Sequence, residues 1–319
     1  MNEFEIIEKY FKQNHPESKG NLILGIGDDA AIINVSEDSE LSISTDTLVS
    51  GVHFFEDTDP EDIAYKALSV NLSDIAAMGA LPRWVSLSLT LPEKDINWLE
   101  RFASSFNQLA TEHSVALIGG DLTKGPLSIS IQIHGVAPKG KSLRRSGATV
   151  GDLIYVTGEL GAAAYALNHI KEPDKFSFIS DKEIQRLHRP KARVKTGLEL
   201  RDNATSCIDV SDGLLADLGH ILKASNVGAE IKLSAIPFSE SLKKLEQKKT
   251  IELALTGGDD YELCFTLPQG LSDSVIKELQ SICPVHCIGK INKDAQQLTL
   301  INEDGESYEI DSSAYRHFD

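Results

Sequence analysis

The 319-residue chain is 41% hydrophobic and 25% charged, enough apolar material for a sizeable core and enough length for two domains. Its 48 Asp and Glu outweigh 31 Lys and Arg, and the formal charge of -17 repels nucleic acid and anionic membrane. Phosphorylated substrates would be repelled too, unless bound divalent cations reverse the field locally.

Met1 to Tyr10 carries Glu3, Glu5, Glu8 and Lys9 and lacks the basic-then-apolar order of a signal peptide. No apolar run is long enough for a membrane span. The four cysteines (Cys207, Cys264, Cys283, Cys287) form neither a Cys-x-x-Cys pair nor a disulfide framework. A cytoplasmic chain with no nucleic-acid or membrane partner is expected.

Residues 22 to 49 read as strand, Gly-rich turn, strand, the second marked by the alternation Leu41-Ser42-Ile43-Ser44-Thr45. A helix is predicted from Pro60, with Asp59 as N-cap, to Gly79. Trp84 to Leu91 alternates, Pro92 to His113 reads as a second helix, and Val115 to Ile118 as a short strand before Gly119-Gly120-Asp121. Leu127 to Val136 alternates again.

The turn-rich, basic stretch Pro138 to Gly151 then separates two mixed α/β halves, and the boundary is placed at 138/139. The second half begins with Leu153 to Val156. It continues with helices near 161–170, 181–202 and 213–226, and strands near 229–233, 260–266, 285–291 and 297–302.

Acidic residues recur beside small ones: Gly27-Asp28-Asp29, Ser44-Thr45-Asp46, Gly119-Gly120-Asp121, Asp209-Val210-Ser211-Asp212-Gly213 and Gly257-Gly258-Asp259-Asp260. One such site is an ordinary turn or cap; five point to shared chemistry. On the helix from Pro60, the helical period puts Ile63, Ala64, Ala67, Val70, Ile75 and Met78 on one face, with Asn71 and Asp74 in its middle. Asp62, Lys66, Ser69 and Ser73 take the opposite, solvated side. An inward Asp74 needs a metal or a distant Lys or Arg, and metal is favoured.

Close carboxylate pairs repel by roughly 4 kcal/mol at about 4 Å and an effective dielectric near 20, so such a site needs cations. All-oxygen donors select a hard ion, and Mg²⁺ fits best beside phosphates. No Walker-type loop, kinase Gly-rich loop or zinc motif is present. Lys139, Lys141, Arg144 and Arg145 either contact nucleotide phosphates or form a solvated linker. Ser211 has no His beside it and is expected to bind rather than attack.

Taken together, Gly25-Ile26-Gly27-Asp28-Asp29, Ser44-Thr45-Asp46-Thr47-Leu48, Gly51-Val52-His53-Phe54, the run Lys66 to Asp74, Ile118-Gly119-Gly120-Asp121, the run Ile208 to Leu214 and Gly257-Gly258-Asp259-Asp260-Tyr261-Glu262 resemble the thiamine-monophosphate kinase family. That family lies within the aminoimidazole-ribonucleotide synthetase-like superfamily. The resemblance runs from about residue 22 to the carboxyl terminus. It implies two mixed α/β (α+β) domains: residues 1–138 for metal and ATP binding and dimerisation, and residues 139–319 completing the active site. A homodimer with amino-terminal strands in a shared barrel follows from the same resemblance.

The implied reaction, the last step of thiamine diphosphate biosynthesis, is Mg-dependent in-line transfer of the ATP γ-phosphoryl group to thiamine monophosphate. ATP is a co-substrate, and no enzyme nucleophile takes part; Asp46, Asp74 and Asp121 are the carboxylates of metal-assisted catalysis. By similarity, Asp29, Ser44, Thr45, Asp46, Asp74, Asp121, Asp209 and Asp212 hold several Mg²⁺ ions. Gly120, Asp121, Arg145 and Ser211 contact ATP, and His53, Asp259 and Tyr315 line the acceptor pocket. The family usually has Glu where this chain has Asp259, one methylene shorter.

Competing readings are another ATP enzyme of the superfamily (selenophosphate synthetase, an amidine-forming purine enzyme, a hydrogenase maturation protein) or a non-catalytic nucleotide or Mg sensor. The lack of an amino-terminal catalytic Cys and of a cysteine tail argues against two of these.

Overall fold

The computed structural model describes residues 2–12, 21–176 and 179–310. The chain divides into two compact units, residues 1–75 with 80–142, and residues 76–79 with 143–319.

In the first unit, α1 (Glu3–Ile6) runs into a π-helical turn (Ile7–Phe11) that lies ahead of β1 (Leu22–Leu24) and β2 (Ile32–Ile33). β3 (Ser39–Val49), β4 (Leu81–Leu91), β5 (Ala116–Lys124) and β6 (Ser128–Pro138) form one sheet in the order β3-β6-β4-β5. β3/β6 and β6/β4 are antiparallel, while β4/β5 is parallel because α3 (Ile96–Glu112) makes the crossover between them. Asp95 starts α3 by accepting the backbone N–H groups of Asn97 and Trp98 at 2.9 and 3.1 Å. Ile129, Ile131 and Ile133 alternate inward along β6, and α2 (Pro60–Ala77) packs against that face. At Gly135 a Cβ would stand 2.6 Å from Ile75, so α2 and the sheet meet there without room for a side chain. On the other face Trp84, Ala116 and Ile118 pack with Leu22, Ala31 and Ile33, while Thr45, Thr47 and Gln132 stay exposed.

Two expectations are corrected here. The solvated side predicted for α2 is absent: Lys66, Ser69 and Ser73 are buried, and Lys66 Nζ donates to the His53 carbonyl at 3.3 Å. Periodicity gave the orientation of the apolar face but could not show that α2 is covered nearly all round. Asp121 also lies within β5, which continues through Gly119 and Gly120, and not in a turn. Gly120 allows this because a Cβ there would come 1.9 Å from the Leu87 carbonyl oxygen on β4.

The second unit is built on a seven-stranded sheet. Its strands are β7 (Leu153–Thr157), β8 (Ser206–Val210), β9 (Gly228–Lys232), β10 (Glu262–Leu267), β11 (Val285–Asn292), β12 (Leu298–Ile301) and β13 (Ser307–Tyr308), in the order β13-β12-β9-β11-β7-β10-β8. All neighbours are antiparallel except β12 and β9. Helices α4 (Ala162–Lys171), α5 (Asp181–His188), α6 (Val194–Leu200), α7 (Leu214–Ser225), α8 (Gln247–Thr256) and α9 (Ser272–Gln280) complete it. The core joins Ile154 and Val156 of β7 and Ile208 and Val210 of β8 to Leu214, Leu218 and Ile221 of α7. The single helix expected over 181–202 is two, because Pro190 cannot continue the hydrogen-bond ladder of α5. Among the described residues no helix is long and apolar enough to cross a membrane.

Candidate functional site

Ser44 and Asp46 stand two residues apart on β3 and therefore point to one side of the sheet. Their register partners on β6, Ile133 and Ile131, are buried, so that side is the one α2 covers. There they meet Asp74 from the eighteen-residue helix α2. Ser44 Oγ donates to Asp74 Oδ2 at 2.5 Å. The Asp46 carboxyl lies within hydrogen-bonding reach of the Asp74 carboxyl. Burial, followed by the charge of Asp74 and this hydrogen bond, pushes the Asp46 carboxyl up from 3.8 to about 7.

Two carboxyl groups and a hydroxyl, with no thiol or imidazole, are donors that suit a hard divalent cation. One turn earlier on α2, Asn71 is fully buried, its amide donates to the Ala67 carbonyl at 2.9 Å, and its Oδ1 has no partner.

The other predicted ligands of the first unit are dispersed. Thr45 occupies the opposite side of β3 from Ser44 and Asp46, where Gln132 Nε2 donates to its hydroxyl at 3.4 Å. Asp121 is exposed on β5, in register with Ser88 of β4. Asp29 is exposed, and its N–H donates to Asp28 Oδ1 at 2.8 Å. Among the described residues no three His, Cys, Asp or Glu groups gather as a metal cluster; of the first unit's predicted ligands, Ser44, Asp46 and Asp74 come together. His53, in the turn after β3, is oriented by accepting the Val49 N–H on Nδ1 at 3.0 Å.

In the second unit Asp209 is buried near the end of β8, whereas Asp212 is exposed in the bend leading to α7. Asp217, not singled out in the sequence, lies on the first turn of α7, and its Oδ2 accepts the N–H groups of Ser211 and Asp212, both at 3.0 Å. Burial raises its carboxyl to about 7. The only signal for it was an acid in the first turn of a predicted helix. Asp259 and Tyr261 both have positive φ, 69° and 49°; the Tyr261 hydroxyl donates to Asp259 Oδ1 at 3.1 Å, and the Asp259 N–H donates to the Ser211 carbonyl at 2.8 Å. Arg145 is exposed, and its carbonyl accepts from Ser225 Oγ at 3.1 Å. Tyr315 lies outside the described residues.

A second ionic group also escaped the sequence. Glu262 is fully buried and accepts from Arg186 at 2.9 Å, from Arg193 at 2.6 Å and from Thr157 Oγ1 at 2.5 Å. Gly158 is confined by it, since a Cβ would lie 2.1 Å from the Glu262 carboxylate. Cys283 is buried against Thr196, whereas Cys287 is exposed.

Residues 27–137 match the family model "AIR synthase related protein, N-terminal domain", and residues 149–300 match its C-terminal counterpart. Over 322 residues the chain is 48% identical to the thiamine-monophosphate kinase of Escherichia coli K12, covering 99% of this chain and 98% of that one. The chain belongs to the thiamine-monophosphate kinase family. Solved structures agree. The thiamine-monophosphate kinase of Stenotrophomonas maltophilia K279a is 41% identical with a TM-score of 0.87, covering 97% of this chain and 98% of that one. A second family member, described as AaThiL complexed with AMPPCP and TMP, is 31% identical with a TM-score of 0.77, covering 92% of each.

Proposed function

We infer that this chain is a thiamine-monophosphate kinase, transferring the γ-phosphoryl group of ATP to the phosphate of thiamine monophosphate. Near-full-length similarity to thiamine-monophosphate kinases carries this reading. A phosphate oxygen of the acceptor attacks the γ-phosphorus, a new P–O bond forms, and the β–γ bridging oxygen leaves with ADP. Both ends of the transfer come from the substrates, so the protein supplies positioning and electrostatics.

Ser44, Asp46 and Asp74 would hold Mg²⁺, with Asp29, Thr45, Asp121, Asp209 and Asp212 as further ligands. Mg²⁺, when bound, supplies positive charge that offsets the carboxylates and the transferring phosphoryl group. Gly120, Asp121, Arg145 and Ser211 would bind ATP; His53, Asp259 and Tyr315 would receive thiamine monophosphate. The Val49 N–H fixes the His53 ring, and the Tyr261 hydroxyl holds the Asp259 carboxylate. With Asp in place of the family's usual Glu, this hydrogen bond sets how far that carboxylate extends. The open four-stranded sheet, with β3 as an eleven-residue edge strand, supports a homodimer closing a shared barrel. A cytoplasmic location fits such a biosynthetic enzyme.

The test is incubation of purified protein with ATP, Mg²⁺ and thiamine monophosphate. Thiamine diphosphate and ADP are expected, with none from free thiamine. ATP consumption without thiamine diphosphate would refute the assignment.

A further inference from the structure

We propose that Asp217 is a positioning residue for this reaction: its buried carboxylate holds the Asp209–Gly213 bend in the conformation that presents the Ser211 hydroxyl and Asp212 carboxylate to nucleotide and metal. The proposal rests on the assignment of Ser211 and Asp212 above.

One oxygen, Asp217 Oδ2, receives two consecutive backbone N–H groups, those of Ser211 and Asp212, at 3.0 Å each. The residue is only 3% exposed, so water does not substitute for its carboxylate readily. From the opposite direction the same bend is pinned through its carbonyls: Ser211 accepts the Asp259 N–H and Val210 the Tyr261 N–H, both at 2.8 Å. Gly213 closes the bend at φ 110°, where a Cβ would stand 2.9 Å from the Thr256 carbonyl carbon.

N–H groups ahead of a helix such as α7 ordinarily form an anion receptor. Here Asp217 already occupies two of them, so the bend reaches phosphate and metal through side chains. Fixing the backbone from inside is what keeps those two side chains aimed.

The test uses the full-length protein with Asp217→Ala, Asp217→Asn and Asp212→Asn. Amide hydrogen exchange in metal-free protein is followed by mass spectrometry over peptides spanning 209–213. Asp217→Ala is expected to accelerate exchange there and leave β10 and β11 unchanged. Asp217→Asn, whose amide oxygen still accepts, stays close to wild type. In the thiamine diphosphate assay Asp217→Ala raises the half-saturating Mg·ATP concentration by about 10–100-fold, the usual effect of removing a group that orients a metal ligand, with half-saturating thiamine monophosphate unchanged. Asp217→Asn largely restores it. If Asp217→Ala does not fold, Asp217→Ser, too short to reach both amides, is measured in its place.

Wild-type exchange, or wild-type Mg·ATP dependence, in the shortened variant would overturn the proposal. Asp212→Asn separates the two failures. If it shifts Mg·ATP dependence and Asp217→Ala does not, only the positioning role falls; if Asp212→Asn shifts nothing, the assignment of the bend itself falls.

Discussion

Replacing Asp46 with Asn should make the metal-free protein more stable at alkaline pH while removing its activity. The Asp46 carboxyl is raised from 3.8 to about 7 in the fold, chiefly by burial and then by Asp74. A raised carboxyl pKa means that the folded state keeps a proton the unfolded chain gives up. The associated stability is therefore complete below about pH 4 and lost as pH rises towards 7. About three pH units at 1.36 kcal/mol each set the loss at about 4 kcal/mol at most. Urea unfolding of chelated protein at pH 5 and pH 8 measures it. Wild type should lose about 3 kcal/mol between the two, because about two of the three pH units remain at pH 5, and Asp46→Asn much less. Asp217 and Asp260, whose carboxyls burial also raises, are present in both proteins, so the difference between the profiles isolates the Asp46–Asp74 pair. Added Mg²⁺ should stabilise wild type alone, with proton release at pH 6.5 seen as a buffer-dependent heat. Parallel wild-type and variant profiles, together with no proton release, would refute the raised Asp46 carboxyl beside Asp74.

Asp74→Asn should cut turnover by about 10²-fold or more without lowering the unfolding midpoint; wild-type turnover would remove Asp74 from the site. Glu262→Gln leaves Arg186 and Arg193 without their buried counter-charge, an expected loss of about 3–5 kcal/mol in denaturant unfolding. Gly158→Ala drives a methyl against the same carboxylate and should cost about 1–3 kcal/mol by the same measurement. Asp95→Ala removes the cap of α3 and should cost about 1 kcal/mol without changing Mg·ATP dependence.

The alternation around Ile43 and the Pro60 start of α2 were legible because each depends on local periodicity and capping. The inward aim of Asp74 was legible for the same reason. Its meeting with Asp46 was not, since that depends on which face of β3 the register with β6 turns inward. Lys66, Ser69 and Ser73 misled because tertiary cover, unlike periodicity, leaves no mark on a helix's polar residues. Asp121 was read as a turn residue from its two glycines, whereas Gly120 lets β5 run tightly beside β4. Helices α8 and α9 were not anticipated, being short and mixed in polarity. Asp217 and the Glu262–Arg186–Arg193 group depend on contacts between distant segments, which single-sequence spacing does not encode.

The most direct test of phosphoryl transfer follows γ-labelled ATP with thiamine monophosphate and Mg²⁺. Label should appear only in the terminal phosphate of thiamine diphosphate, one for each ADP formed, with none on the protein. A labelled protein intermediate, or label released as free phosphate without thiamine diphosphate, would contradict direct transfer between the two substrates.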